Sequence, residues 1–180
     1  LAADLLAMKA GEVSEVMETF RTGYFLIDTP GQMELFTFRE SSRVVIDAFG
    51  REDSALVYLN DPALVKTASG MISSVLLSAT ALFRHVIPFV NVLSKSDLLS
   101  PEELETIVKW SLDPLELYDA LMQDAATPKT LLDVEFFKSM ETIGVYRKLL
   151  PVSSEASTGF EDVYSQVQLT FEGGDDLRPD

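Results

Sequence analysis

Short apolar runs alternate along this chain with longer stretches in which apolar residues recur every three or four positions. The short runs predict buried strands at 24–27, 55–61, 86–93 and 149–154. The longer stretches predict six helices: at 5–20, at 32–50, at 62–84, from Pro101, at 113–143, and after Gly159 to Phe171. A break at Gly11 is an alternative for the first helix, and the one at 113–143 is interrupted near 126–130. This alternation predicts an α/β fold: a parallel sheet with helices on both faces.

Polar clusters follow three of the predicted strands. They are Asp28 to Gln32, Ser94 to Asp97, and Ser153 to Glu155. Right-handed crossovers bring the carboxyl ends of parallel strands to one edge of a sheet, where ligands of such folds bind. The three clusters therefore predict one ligand site on that edge.

The first cluster, Asp-Thr-Pro-Gly-Gln, has three properties that suit a nucleoside triphosphate. Asp28 can hold a divalent cation directly or through water. Gly31 lets its backbone N–H approach a phosphate closely, and the neutral amide of Gln32 can orient a water for attack on phosphorus. The alternative is an ordinary Asx or Pro-Gly turn that ends a strand.

The second cluster, Ser-Lys-Ser-Asp, suits a purine base. Asp97 can accept hydrogen bonds from the N1–H and the amino group of guanine, whereas adenine has no donor at N1. The stem of Lys95 can lie across the base plane. The alternative is that Asp97 or Ser100 simply caps the helix that begins near Pro101.

The third cluster lies in 152-VSSEASTGFEDV-163, where backbone N–H groups of a tight loop can bind the carbonyl oxygen of guanine. The alternative is that Ser157 or Thr158 caps the following helix. A phosphate-end carboxylate, a base-reading Asp and a Ser-Ser loop, in this order and each after a strand, form the serial arrangement of GTPase motifs.

With these motifs the sequence resembles the GPN-loop GTPases, which are P-loop NTPases. The resemblance is strongest in 26-LIDTPGQMELFTFRESS-42, 58-YLNDP-62 and 89-FVNVLSKSDLLS-100. It implies a three-layer G domain, and the acidic composition looks more like an archaeal member. At the phosphate end it implies that Asp28 holds Mg²⁺ through water, that Gly31 contacts the γ-phosphate, and that Gln32 and Glu34 are catalytic. At the base end it implies four binding residues: Lys95, Asp97, Ser153 and Ser154.

Two residues and two motifs depart from the family pattern. Ser94 stands where most GTPases have Asn, which weakens a contact that braces the base loop, and Glu155 stands where Lys is frequent. Neither G-x-x-x-x-G-K-[ST] nor Gly-Pro-Asn occurs in these residues. We expect both upstream of Leu1 in a longer parent protein, together with the strand that feeds the P-loop and separates the strands ending at Asp28 and Asp61.

The composition narrows the possible partners. A net charge of −15 and a pI near 4.3 argue against sequence-independent binding of DNA or RNA, which needs a basic face. Without cysteine the chain has no disulfide and no thiolate metal site, which fits a reducing cytoplasm. No apolar stretch is long enough to span a membrane. His85, the single histidine, is expected at a surface turn.

The resulting hypothesis is a single G domain over residues 1–180, with 172–180 as a flexible tail. In the intact parent it would bind GTP or GDP and hydrolyse GTP with Mg²⁺, as a homodimer that acts on the assembly of a larger complex. The 180 residues alone are expected to be inactive and to bind GTP poorly. The rival hypothesis is a non-catalytic interaction module, and an ATPase is disfavoured by Lys95 and Asp97.

Overall fold

The computed structural model describes residues 2–29, 37–123, 139, 142 and 148–171. The chain divides into two compact units. The first unit comprises residues 1–55 and 80–88, and the second comprises residues 56–79 and 89–180. The expectation of one domain over residues 1–180 stays a prediction.

Two helices of the first unit pack against each other. They are α1 (Ala2–Met17) and α2 (Glu40–Phe49). Helix α1 continues through Gly11 without a break. Helix α2 ends at Gly50, whose positive φ of 90° suits a residue without a side chain, as the sequence predicted.

The predicted strand at 24–27 is wrong. Residues 24–29 have no regular secondary structure, and Leu26 is 100% exposed. The Thr22 hydroxyl donates to the Tyr24 carbonyl at 3.1 Å and accepts from the Tyr24 N–H at 3.4 Å. These are the two backbone groups that a ladder would use. No strand pairs with 24–27 among the residues that the structure describes, and an apolar run without a neighbouring strand gains no ladder hydrogen bonds.

The second unit holds a parallel sheet with strand order β1-β2-β3. The strands are β1 (Leu56–Asn60), β2 (Phe89–Leu93) and β3 (Leu150–Pro151). Leu56 of β1 pairs with Phe89, and Val92 of β2 pairs with Leu150. The α/β fold class with a parallel sheet flanked by helices is therefore confirmed.

Helices connect these strands as a parallel topology requires. In chain order they are α3 (Pro62–Val65), α4 (Ala68–His85), a 3₁₀ turn (Ser96–Leu98), α5 (Pro101–Leu112), α6 (Pro114–Gln123) and α7 (Phe160–Phe171). The helix predicted at 62–84 is thus two helices, and residues 80–85 of α4 belong to the first unit. The predictions for 30–36, for most of 124–147 and for the tail 172–180 lie outside the described residues.

One hydrophobic cluster of the second unit forms around its central strand. Val90 and Val92 of β2 join Leu150 and Val152, and valines 163 and 167 of α7 pack against this cluster. Apolar residues in sequence along β2 suit a parallel strand, which is covered on both faces. No described helix combines the length and hydropathy that crossing a membrane requires.

Candidate functional site

The carboxyl ends of β1, β2 and β3 lie at one edge of the sheet in the second unit, because the three strands are parallel. The segments that leave this edge begin at Asp61, Ser94 and Val152. Backbone hydrogen bonds join the last two segments: Val152 N–H donates to the Leu93 carbonyl at 2.9 Å, and Ser96 N–H donates to the Val152 carbonyl at 3.1 Å. Two of the three predicted clusters are thus side by side.

The segment Ser94–Asp97, which we call the base loop, is attached to the end of β1. The Ser94 N–H and hydroxyl both donate to the Asn60 carbonyl, at 3.1 and 3.0 Å. The Ser94 side chain therefore contributes one of the two bonds that hold this loop, and the expectation that serine braces it more weakly than asparagine stays a prediction. Lys95 follows in the left-handed conformation, with φ 51° and ψ 41°, and turns the chain into the 3₁₀ helix.

Asp97 is exposed at this edge, and the Ser153 hydroxyl holds one of its carboxylate oxygens. Ser153 Oγ donates to Asp97 Oδ1 at 2.5 Å and accepts from the Ala156 N–H at 2.9 Å. Ser153 is only 1% exposed, so its hydroxyl is fixed on a buried support. The structure thus joins two predicted base-binding residues that lie 56 positions apart in sequence.

Of the two residues considered as the cap of the helix that begins near Pro101, Ser100 is the one that caps it, and Asp97 does not. Ser100 Oγ accepts from the Glu103 N–H at 3.2 Å, and a Glu103 carboxylate oxygen accepts from the Ser100 N–H at 2.8 Å. This reciprocal pair is a capping box, and it begins α5 without Asp97. The bond from the Ser100 N–H, and after it the bond with the Lys66 side chain, lower the pKa of the Glu103 carboxyl below its usual value.

The segment after β3 closes into a tight loop. Ser153 and Thr158 exchange two backbone hydrogen bonds, at 3.1 and 3.0 Å, so the residues between them, including the exposed Ser154, form the tip. Gly159 leaves the loop with φ 83°, and a side chain there would place a carbon 1.9 Å from the Pro151 carbonyl oxygen. Glycine at this position is therefore required by both conformation and space.

Sequence reasoning did not assign Asp61 to this edge. Its Oδ2 lies 3.7 Å from Lys95 Nζ, and both side chains are more than half exposed, at 58% and 61%. Its other oxygen accepts from the Ala63 N–H at 2.8 Å and caps α3. The signal that could have found it is the Asn-Asp-Pro that follows the predicted strand, since parallel strands share this edge.

The structure does not test the predicted phosphate-end residues at this edge. Asp28 is an exposed residue of the first unit, and Gly31, Gln32 and Glu34 lie outside the described residues. Within the part of the chain that the structure describes, no three His, Asp or Glu side chains are grouped to hold a metal ion. An exposed carboxylate such as Asp28 still fits Mg²⁺, which takes one or two carboxylates and completes its shell with water and phosphate oxygens.

The expectation that His85 lies at a surface turn is wrong. Its side chain is 1% exposed, within the first unit. Burial lowers the pKa of His85 below 6.5, and the positive charges of Arg51, Arg84 and Arg43 lower it further. Arg51 also donates to the His85 backbone carbonyl. The imidazole is therefore a neutral core group at pH 7.

The chain matches a family model over nearly its whole length. The matching family model, described as a conserved hypothetical ATP binding protein, covers residues 1–173. GPN-loop GTPase QQT2 of Arabidopsis thaliana is 25% identical over 179 residues, which cover 94% of this chain and 44% of that protein. GPN-loop GTPase 3 of Danio rerio is 28% identical over 163 residues, covering 86% and 55%.

A solved structure also matches. It is the apo form of a GTPase from Pyrococcus abyssi, with a TM-score of 0.79 and 26% sequence identity. The match covers 93% of this chain and 67% of that one. The chain spans about half the length of the curated relatives that it matches.

Proposed function

We propose that the intact protein binds GTP and hydrolyses it to GDP and phosphate, because this chain belongs to the GPN-loop GTPase family. The relatives and the solved structure that it matches carry the name GTPase. Since the chain spans about half of those relatives, the activity is proposed for the full-length protein.

The observation that carries this proposal is the anchored carboxylate of Asp97. Guanine presents two parallel donors, its N1–H and its 2-amino group, and a carboxylate can accept from both. The Ser153 hydroxyl holds Asp97 Oδ1, so the carboxylate is oriented before a base arrives. A preoriented acceptor loses less conformational freedom on binding.

The same carboxylate favours guanine over adenine. Adenine has an acceptor at N1, so its ring would face Asp97 with two acceptors opposed and the carboxylate charge left unpaired. The family model is described as ATP binding, but the residues at this edge support a guanine nucleotide. Lys95 adds a stem that can cover the base face, and the loop of Ser153 and Ser154 borders the same edge.

At the phosphate end, we propose that Asp28 holds the magnesium ion through water and that Gly31 contacts the γ-phosphate. Gln32 orients the attacking water, and Glu34 is the second catalytic residue of the same Gln-x-Glu pattern. The ion supplies charge neutralisation on the β- and γ-phosphate oxygens when bound. A neutral amide such as Gln32 can orient the water through hydrogen bonds but is too weak a base to take its proton. The support for these four roles is the match of 26–42 to the family pattern.

The proposal also includes a homodimer that works in the cytoplasm on the assembly of a larger complex, with no direct contact to nucleic acid or membrane. The support is the family resemblance and the net charge of −15. The rival is a non-catalytic interaction module that keeps the fold and has lost nucleotide turnover.

Nucleotide competition on the full-length protein tests the base assignment. The affinities of GDP, IDP and ADP would be measured by their displacement of fluorescent GDP. IDP differs from GDP only in lacking the 2-amino group. We expect Asp97→Ala to weaken GDP binding by about tenfold or more and to abolish the preference over IDP. The matched control is Asp162→Ala, which removes an exposed aspartate on α7. An Asp97→Ala variant that keeps the guanine preference would refute the assignment.

Hydrolysis is tested separately with Gln32→Leu. This change removes the amide but keeps a side chain of similar size. Loss of GTP turnover with retained GTP binding supports the enzyme, whereas a wild-type protein that binds GTP and never hydrolyses it supports the non-catalytic module. Phosphate release and nucleotide binding would be measured on the same preparations.

A further inference from the structure

Asn60, at the carboxyl end of β1, is a buried polar residue with hydrogen bonds to two neighbouring elements and to the base loop. It is 3% exposed. Its amide Nδ2 donates to the Val92 carbonyl of β2 at 3.0 Å, and its Oδ1 accepts from the Ser74 hydroxyl of α4 at 2.5 Å. Its backbone carbonyl accepts both bonds from Ser94. All of these residues belong to the second unit.

The side chain therefore fixes the atom to which the base loop is attached. A buried amide that loses its partners keeps the full cost of desolvation, so the two side-chain bonds strongly favour one rotamer and one backbone position. Ser74 is 2% exposed, and its hydroxyl meets the amide in a setting where water does not compete. Asn60 thus links β1, β2 and α4 at a single point.

We propose that Asn60 is a positioning residue for guanine recognition, held in place by Ser74. Asn60 holds its own backbone carbonyl where Ser94 can donate to it. The position of Ser94 then determines where the Asp97 carboxylate meets the Ser153 hydroxyl. The inference rests on the proposed function, since it concerns the same base loop. Neither Asn60 nor Ser74 needs to touch the nucleotide.

Asp97 follows Ser94 closely in the chain, so a shift at Ser94 reaches Asp97. The Lys95 backbone between them is in the left-handed region, which few residues adopt without support from their surroundings. The 3₁₀ turn after it is closed by the Leu98 N–H donating to the Lys95 carbonyl at 3.0 Å. The loop is therefore stiff, and its attachment point decides where the carboxylate lies.

The test uses the full-length protein with Asn60→Ala and Ser74→Ala. The matched control is Ser78→Ala, because Ser78 is also 2% exposed and on α4, but its hydroxyl donates to the Val75 carbonyl of its own helix. Each variant would be assayed for GTP and ITP hydrolysis at varied nucleotide concentration, and its Tm measured. ITP lacks the 2-amino group, so the ratio of the two KM values reports the Asp97 contact.

For Asn60→Ala and Ser74→Ala we expect the KM for GTP to rise about tenfold while the KM for ITP changes less, with kcat within about twofold. Ser78→Ala also removes a buried hydroxyl from α4 and should leave both KM values unchanged. A purely structural role would reduce the folded fraction, and hence the apparent kcat, without changing the GTP to ITP ratio. Ser74→Ala keeps the test open if Asn60→Ala does not fold.

The result that overturns the inference is a Ser74→Ala protein with wild-type KM values and wild-type selectivity, while Asp97→Ala loses that selectivity. This outcome leaves the proposed function intact. If the wild-type protein binds GTP and ITP equally, the base assignment itself fails, and the positioning role fails with it.

Discussion

The buried histidine makes stability depend on pH in a calculable way. His85 is the single histidine of the chain, 1% exposed and subject to the charges of Arg51, Arg84 and Arg43. Both its burial and these charges lower its pKa in the folded state below the 6.5 of an unfolded chain. At a pH between these two pKa values, His85 binds a proton in the unfolded chain but stays neutral in the folded protein.

The sign and size of the effect follow from proton linkage. Well above pH 6.5 the imidazole is neutral in both states and contributes nothing. As the pH falls through the unfolded value, only the unfolded chain binds the proton, so the free energy of unfolding decreases. The slope approaches about 1.4 kcal/mol per pH unit and flattens once the pH falls below the folded-state pKa.

The assay is urea denaturation of the chain and of His85→Gln, from about pH 8 to about pH 5. The carboxylates that titrate at the acidic end are common to both proteins and cancel in the difference. The Arg51 bond survives the substitution, because it ends on the backbone carbonyl of residue 85. We expect the wild type to lose stability relative to the variant below about pH 6.5. A difference that stays constant over this range, or that grows in favour of the wild type, would contradict the reasoning.

Two further predictions use paired substitutions measured by the free energy of unfolding in urea. Gly159→Ala should destabilise by more than about 2 kcal/mol, because φ is +83° and the new carbon would lie 1.9 Å from the Pro151 carbonyl oxygen. Gly11→Ala, inside α1 with nothing within 4 Å, should stabilise by about 0.5–1 kcal/mol, and a loss there would argue against the continuous helix. Leu117→Ala should cost about 2–5 kcal/mol because that side chain is 0% exposed. Leu115→Ala, on the same helix at 71% exposure, should change stability by less than about 0.5 kcal/mol, and equal losses would show that α6 is docked differently.

Local sequence patterns predicted an element correctly where its formation depends mainly on its own residues. The start of α5 is encoded by Ser100, Pro101 and Glu103, and the capping box forms as that spacing suggests. Strands β1 and β2 form inside the predicted runs 55–61 and 86–93, although β2 begins only at Phe89, and each has the other as a neighbour. The run at 24–27 is equally apolar yet irregular, because a strand depends on a neighbour that no local pattern encodes.

The candidate site shows the same limit. Parallel topology correctly predicted that Ser94–Asp97 and Ser153–Glu155 share an edge, since that rule needs only the order of strands and helices. The Asn60 and Ser74 contact could not be predicted, because it depends on how a particular turn of α4 meets the end of β1. The burial of His85 was not predicted for a related reason. Its neighbours in sequence indicate a turn at the surface, whereas its burial depends on tertiary packing. The roles of the predicted site residues remain predictions.

A base with an acceptor in place of one of the two donors of guanine tests most directly whether the Asp97 carboxylate binds guanine. Xanthine keeps the N1–H of guanine but has a carbonyl oxygen where guanine has its 2-amino group. The side-chain amide introduced by Asp97→Asn offers one acceptor and one donor, which match that pair. We predict that Asp97→Asn in the full-length protein weakens GTP binding by about tenfold or more and strengthens XTP binding by a similar factor. A variant that binds GTP as the wild type does, or that loses GTP without gaining XTP, would contradict the account.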